Sequence, residues 1–419
     1  MSTTAPRRAG AATAALGRLR GVLAYAAFPM IGAVTPLLAI PAISQQFGAP
    51  GWASIAVGQS VGAAASVAVE LGWGLTGPQA VAATDRSGSL GLLASSIKSR
   101  LAVATVVVPI TWFIVWLLNP PDLAAAALAA SAMTLAGLSL NWFFVGLGSP
   151  ARIFWSDALP RLVSILLGVV AITALGAPLV AFACCLLLGF VASPVIGMAM
   201  VRPRAIDFSR AEVVGSVIRR QAVAVAGRGL SAVYIGLPVA LVQAWAPAAV
   251  PAFAAAERLM RMGLLVLQTV PNVLQRAVGA ATRDARSLLV VAKQVLVLQT
   301  AVGVSAALAC ALALPTAVDL LFAGKVSVGF ATSSAAACVV LFTSLSRATG
   351  MLLVARKRVP WISVSAGVAA ASAFALLGIL PSRQGPTGAM VSLAAAEALA
   401  LFVQAFGLVR SDRRSAKRP

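Results

Sequence analysis

Apolar runs of roughly 18 or more residues, each long enough to cross the ~30 Å hydrocarbon layer of a bilayer as a helix, recur about twelve times along this chain. A mean hydropathy of +0.96, with 60% hydrophobic and 10% charged residues, excludes an ordinary soluble domain. The chain reads as an all-α integral membrane protein. Turn signals place spans at 21–44, 52–76, 101–118, 123–147, 153–175 and 178–200, then at 217–245, 251–277, 288–314, 329–355, 360–380 and 387–409. The link after the second span carries Leu90, Leu92, Leu93 and Ile97 near Lys98 and Arg100. That spacing predicts an amphipathic helix lying along the membrane surface.

The basic residues set the orientation, because loops on the cytoplasmic side are enriched in Lys and Arg. With the N-terminus inside, 25 of the 32 Lys and Arg residues fall on inside segments, including Arg7, Arg86, Arg152, Arg202, Arg204 and Arg356 to Arg358. Only Lys325 and Arg383 fall outside, and five arginines remain within the spans. Both termini are therefore expected to be cytoplasmic. The net charge of +21 is spread over short inside segments, as topology and anionic head groups require, so no nucleic-acid partner is expected. The basic stretch before Gly21 leads into a full-length span with no small-residue cleavage site, unlike a cleaved signal peptide. Cys184, Cys185, Cys310 and Cys338 all fall in spans at spacings that suit neither a metal nor a redox pair. The chain has no histidine, which excludes a His-based metal site or catalytic triad, and no cofactor is expected.

A faint internal repeat divides the chain. Ile40-Pro41 and Leu237-Pro238, then Ala49-Pro50 and Ala246-Pro247, recur at one offset of 197 residues. With six spans on either side of the basic link, this predicts two pseudo-symmetric six-helix lobes, an arrangement that places a transporter's substrate site at the repeat interface. The expected organisation is a basic tail 1–20, an N-lobe 21–200, a cytoplasmic linker 201–216, a C-lobe 217–409 and a basic tail 410–419.

Several segments resemble a known family. Phe47-Gly48 with Trp52, then Gln59-Ser60, Glu70-Leu71-Gly72 and Thr76-Gly77-Pro78 with Val81-Ala82 resemble the opening of bacterial polysaccharide flippases. Asn141-Trp142-Phe143-Phe144-Val145-Gly146-Leu147-Gly148 resembles the end of their fourth span, and the continuation to Arg161-Leu162 resembles their fifth. Ala256-Glu257-Arg258 resembles a motif of span 8. The family is the O-antigen and exopolysaccharide (Wzx-type) flippase branch of the multidrug/oligosaccharidyl-lipid/polysaccharide exporter superfamily. The resemblance implies a MATE-like transporter, not an enzyme, that moves a polyprenyl-pyrophosphate-linked oligosaccharide to the outer leaflet of a bacterial inner membrane. Its partners would be that glycan lipid, membrane lipids and a downstream polysaccharide polymerase.

Ionisable residues inside a bilayer cost roughly 2.5–3.5 kcal/mol on insertion scales and by default face the protein interior. Here they are Glu70, Arg161, Arg228, Glu257, Arg258, Arg261, Arg347 and Glu397, an excess of positive charge. Guanidinium groups bind phosphate oxygens in a bidentate way, which suits a pyrophosphate. Glu257, Arg258, Arg261, Gln268, Asn272 and Gln275 recur at spacings of three, four and seven, so they share one face of span 8. Gln59, Ser66 and Glu70 form a thinner stripe on span 2. The candidate cavity residues are therefore Arg228, Arg258, Arg261, Arg161, Arg347, Gln59, Glu70, Glu257, Gln268 and Asn272. Glu257 and Arg261 either bind substrate or tie to each other four residues apart, and Asp157 and Arg161 have the same spacing. Arg161 and Arg347 are also placed to snorkel. Glu397 with Gln404 suits a helix–helix hydrogen bond.

Two relatives compete with this reading. A multidrug cation antiporter needs acidic cavity residues, and span 1 has none. A lipid II flippase is expected to show about fourteen spans with arginines in the first two, whereas spans 1 and 2 lack arginine here. A membrane-embedded glycan polymerase would need catalytic carboxylates or a large outside loop, and a phosphate-binding Gly-rich loop before a Lys is absent. Arg228, near mid-membrane, is the strongest single candidate: Arg228→Ala should reduce transport without lowering membrane abundance, and full transport in that variant removes the assignment. Gln268→Leu or Asn272→Leu should matter less and in a glycan-dependent way.

Overall fold

The structure, a computed structural model, describes residues 35–209, 211–222, 235–268, 270–271, 274, 278 and 285–415. A short 3-10 turn, Thr35–Leu38, leads into α1 (Ala39–Glu70) and α2 (Trp73–Ala82). Then come α3 (Arg86–Leu118), α4 (Leu123–Leu135), α5 (Asn141–Gly146), α6 (Pro150–Thr173), α7 (Leu179–Val201) and the short α8 (Ala205–Ser209). The later helices are α9 (Pro238–Trp245), α10 (Val250–Leu267), α11 (Ala285–Leu321), α12 (Phe330–Ala355), α13 (Pro360–Leu377) and α14 (Leu380–Ser415). Among the described residues there is no strand, and nine helical stretches are long and apolar enough to cross a membrane. The three expected spans outside that set, 21–44, 217–245 and 251–277, each include residues outside the described ones.

Two kinks follow from local chemistry. Gly48 adopts φ 63°, ψ −162° just before Pro50, and Gly385 adopts φ 57°, ψ −140° before Pro386. Gly385 directly precedes its proline, which disfavours the helical region for the residue before it; Gly48 lies two residues before Pro50, whose ring clashes with the preceding turn, and at both places glycine takes the required backbone at little steric cost. The kink in α1 thus separates the end of the expected first span from the second.

One expectation is overturned. The stretch 90–100 does not lie apart as a surface helix but forms the first part of α3, a single helix of 33 residues. At ~1.5 Å per residue this helix is about 50 Å long, well beyond the hydrocarbon thickness, so its first turns project past the apolar layer. Leu93, Ala94, Ser95, Ser96, Ser99 and Arg100 are buried there, and Ser95 Oγ accepts from the Glu212 N–H at 3.0 Å. Contacts with the chain that follows α7 bury this face. Further along α3, Val106, Ile110, Phe113 and Leu117 are each at least half exposed on one face, as a lipid-facing stripe demands.

Close approach between helices rests on small residues. On α1, Gly58 and Gly62 lie against Ala126 and Ala130 of α4, each pair spaced by four. A Cβ on Gly62 would sit 2.3 Å from the Ala130 carbonyl oxygen and 2.7 Å from the Met133 Cβ. Small residues at this spacing let helix backbones pack by van der Waals contact where lipid supplies no hydrophobic drive. Helices α1 to α7 pack chiefly among themselves, as do α9 to α14, and α1 meets α9 and α10 along the seam between the two sets. Gly62→Val should destabilise the bundle by about 1–3 kcal/mol through overpacking. A thermal midpoint equal to wild type in detergent would show that this contact yields freely.

Candidate functional site

The site begins at a break in a helix. After α4 the chain makes a 3-10 turn, Ala136–Leu138, then an extended residue, Ser139, before α5 resumes at Asn141. Such a break frees backbone carbonyls from the helical ladder, and in hydrocarbon each must find a partner. Arg100 supplies it. Its Nε donates to the Gly137 carbonyl at 2.9 Å and its Nη2 to the Ser139 carbonyl at 2.8 Å, with Nη1 on Ser96 Oγ at 3.3 Å. Arg100 is 1% exposed. The sequence reading had counted it among loop charges on an inside segment; the structure corrects this, because freed carbonyls repay the burial of a guanidinium.

The other side of the break faces a carboxylate. Asp157 sits in a π-helical turn of α6, Phe154–Ala158, where a wider ring of hydrogen bonds shifts the following residues around the axis. Its Oδ1 accepts from Ser193 Oγ at 2.6 Å and Ser139 Oγ at 3.3 Å, and its Oδ2 from Asn141 Nδ2 at 2.9 Å. Arg161, one turn on, pairs with Oδ1 at 2.6 Å and lies 4.3 Å from the centre of the Phe190 ring. Asp157 therefore ties α6 to α7 and to the start of α5, and anchors Arg161, which lines both the cavity beside the break and a central one.

Arg161 points toward a central cavity of about 290 Å³. Arg258 and Arg261 of α10 line the same cavity with Gln59 of α1, and among the described residues no acidic one lines it. Trp52, Phe182 and Phe190 supply aromatic walls. The three guanidinium groups are held differently. Arg261 is tied to Glu257 within its own helix. Arg161 is tied to Asp157, yet its Nε is buried with no hydrogen-bond partner. Arg258 Nη1 donates to the neutral Gln59 Oε1 at 3.2 Å. Two further cavities adjoin. One of about 210 Å³ shares Gln59, Arg258 and Arg261 and adds Glu257; one of about 390 Å³ shares Arg161 and adds Glu70.

Of the residues anticipated from sequence, the structure thus brings together Arg161, Arg258, Arg261, Gln59, Glu257 and Glu70 around adjoining cavities. Arg347 of α12 lies apart from these linings and donates to the Leu264 carbonyl near the end of α10 at 2.9 Å. Gln268 is exposed at the C-cap of α10. Arg228 and Asn272 lie outside the described residues. Gln404 accepts from Thr349 Oγ1 at 2.5 Å and donates to Ser365 Oγ at 3.0 Å, joining α12, α13 and α14. Among the described residues no cluster of metal-ligating side chains occurs. Sequence reasoning missed Arg100, Phe190 and the donors around Asp157; the run Ser95, Ser96, Ser99, Arg100 on one helix face was the available signal for the first.

Helices α1 and α10 meet across the seam. Trp52 Nε1 donates to the Pro251 carbonyl at 3.2 Å and Gln59 pairs with Arg258, both at an offset of 199 residues. Two contacts at one offset, seven residues apart, mean that α1 and α10 run parallel there. No protein-family model matches the chain, and no curated protein matches it in sequence. Solved structures do match. An inward-facing multidrug resistance MATE family transporter of the MOP superfamily superposes with a TM-score of 0.72 at 14% identity, covering 95% of this chain and 99% of that one. The fold is that of MATE-type transporters. The lipid II flippase MurJ, in an inward closed conformation, matches with a TM-score of 0.64 at 12% identity over 92% of this chain and 87% of that one. A MATE in complex with MaL6 matches at 0.55 and 13% identity, over 95% of this chain and 97% of that one.

Removing the Arg100 clamp tests the site's foundation. Arg100→Leu strands the Gly137 and Ser139 carbonyls, at a cost of about 1–3 kcal/mol for each unsatisfied group. A lowered thermal midpoint, partly restored by Arg100→Lys, is expected; an unchanged midpoint would mean that water or lipid satisfies the break.

Proposed function

We propose that the protein flips a polyprenyl-pyrophosphate-linked oligosaccharide from the cytoplasmic to the outer leaflet of a bacterial inner membrane, supplying surface polysaccharide assembly. The observation that carries this reading is a central cavity lined, among the described residues, by three arginines and no acidic residue, with Glu257 and Glu70 in the adjoining cavities. A diphosphate entering it would exchange water for charge-assisted hydrogen bonds, which are roughly twice as strong as neutral ones. Arg258, whose partner is a neutral amide, is the guanidinium best placed to take phosphate oxygens. Gln59 and the aromatic walls suit sugar hydroxyls and sugar faces. The polyprenyl tail would stay in lipid while the two sets of helices alternate about the seam.

A cation antiporter is the second reading, favoured by the MATE likeness in fold. It asks for acidic groups facing the cavity, and the carboxylates of Asp157 and Glu257 are both engaged by arginines. A lipid II flippase shares the diphosphate chemistry, so the same cavity would serve it. Two measurements separate the three. Deletion of the gene should trap finished lipid-linked repeat units in the cytoplasmic leaflet and abolish surface polysaccharide. Trapped lipid II would point to the cell-wall precursor instead, and unchanged lipid-linked sugars with new sensitivity to cationic drugs to the antiporter. Arg258→Gln should cut flipping about tenfold, the loss of one charge-assisted contact, with membrane abundance unchanged.

A further inference from the structure

A groove of about 1360 Å³ opens far from the central cavity, where α3 begins, α6 begins and α7 runs into α8. Four arginines, Arg86, Arg152, Arg202 and Arg204, line it with two carboxylates, Asp85 and Asp207. Both acids serve local turns. Asp85 caps α3, its Oδ1 accepting from the Gly88 N–H at 2.9 Å and its Oδ2 from Ser87 Oγ at 2.8 Å. Asp207 Oδ2 accepts from the Arg204 N–H at 2.7 Å. All four arginine side chains are exposed, and among the described residues none of the four forms an ion pair. The groove therefore carries two positive charges in excess.

Its floor has the opposite character. Leu90, Ile196, Met200, Val201 and Ile206 line it, and α7 continues outward with Leu188 64%, Val191 41% and Val195 60% exposed. A small soluble anion would leave that apolar flank in water; an amphiphile would cover both parts. Arg202 adds a sign of constraint: it closes α7 in the left-handed region at φ 54°, ψ 57°, a conformation that costs a non-glycine residue roughly 1–2 kcal/mol, and it lines the groove together with Arg204 and Asp207 of the chain that follows. Basic pockets between membrane helices on the cytoplasmic side are suited to multiply charged lipid heads.

We propose that this groove binds an anionic phospholipid whose head carries two phosphodiesters, with its acyl chains along the exposed face of α7. The two negative charges of such a head match the excess in the groove, and the site is separate from the cavity proposed for transport. Binding is tested directly on the purified full chain in detergent, with fluorescent diphosphatidylglycerol as probe and diphosphatidylglycerol, phosphatidylcholine and inorganic pyrophosphate as competitors. Unlabelled diphosphatidylglycerol should displace the probe, while phosphatidylcholine should not and pyrophosphate only weakly. The double variant Arg152→Gln with Arg204→Gln should weaken binding on the order of tenfold or more. The equal-charge control Lys357→Gln with Arg358→Gln should weaken it less than about twofold if the site is local. If the groove double variant loses its thermal midpoint, Arg86→Gln alone carries the test, with a loss of about fivefold. Equal weakening by both double variants would reduce the effect to diffuse charge and overturn the proposal. Pyrophosphate competing as well as the lipid would overturn it too, by assigning the groove to the head of a diphosphate substrate.

Discussion

The interrupted helix between α4 and α5 sets the terms for the amino-terminal half. In a bilayer an unpaired backbone carbonyl costs several kcal/mol, so a break at that depth calls for side-chain donors. Here the two sides of the break receive opposite charges. Arg100 satisfies the carbonyls of Gly137 and Ser139, and Asp157 gathers the hydroxyl of Ser139 and the amide of Asn141. Neither charge is left isolated, since each has several polar partners. The arrangement joins α3, α5, α6 and α7 at one point, and removing either charge would strand the groups that gather on it. Arg161 owes its place in the cavity to that node, because its anchor is Asp157 one turn back and its second contact is Phe190 on α7.

From this follows the division of labour among the cavity arginines. Two of the three are neutralised within their own helices, Arg161 by Asp157 and Arg261 by Glu257. An intrahelical pair costs little to order and keeps a guanidinium in the membrane without an outside counter-charge. Arg258 differs, because it donates across the seam to a neutral amide. A ligand phosphate would therefore gain most from Arg258, and would compete there with a contact between the two halves. Substrate binding and the opening of the seam would share one residue.

Much of this was legible in the sequence, in a graded way. Hydropathy alone separates the long helices, since a run of apolar residues needs no partner to declare itself. The pairs Asp157–Arg161 and Glu257–Arg261 are readable because spacing of four fixes neighbours on a helix whatever surrounds it. Arg100 was not readable by the same rule. Its partners are backbone carbonyls freed by a break some 37 residues away, and nothing in residue type announces them. The start of α3 was misjudged for a related reason: an amphipathic period looks the same whether its apolar face meets lipid or protein. The motif glycine Gly77 shows the limit from the other side. A Cβ there would sit 2.2 Å from the Trp142 ring, so two segments quoted separately for their resemblance are packing partners, a relation that only the folded chain displays.

The seam explains how such a molecule could change state without unfolding. Polar contacts across it include Trp52 to the Pro251 carbonyl, Ser60 with the backbone at Gly236 and Ala240, Thr76 with Gln221, Gln243 to the Leu118 carbonyl, and Arg258 with Gln59. Each bond has a neutral partner and is worth about 0.5–1.5 kcal/mol net for the neutral pairs. Close backbone approach occurs at both kinds of joint, at Gly58 and Gly62 within the amino-terminal half and at Gly236 against Ala64 across the seam, while the charged node at Asp157 lies within the amino-terminal half. Close-packed interiors transmit strain and resist continuous deformation, whereas a sparse set of neutral bonds can be exchanged one for another. If the two sets of helices move relative to each other, the neutral bonds of the seam are the ones exchanged, and the cavity beside them is the one that Arg258 lines.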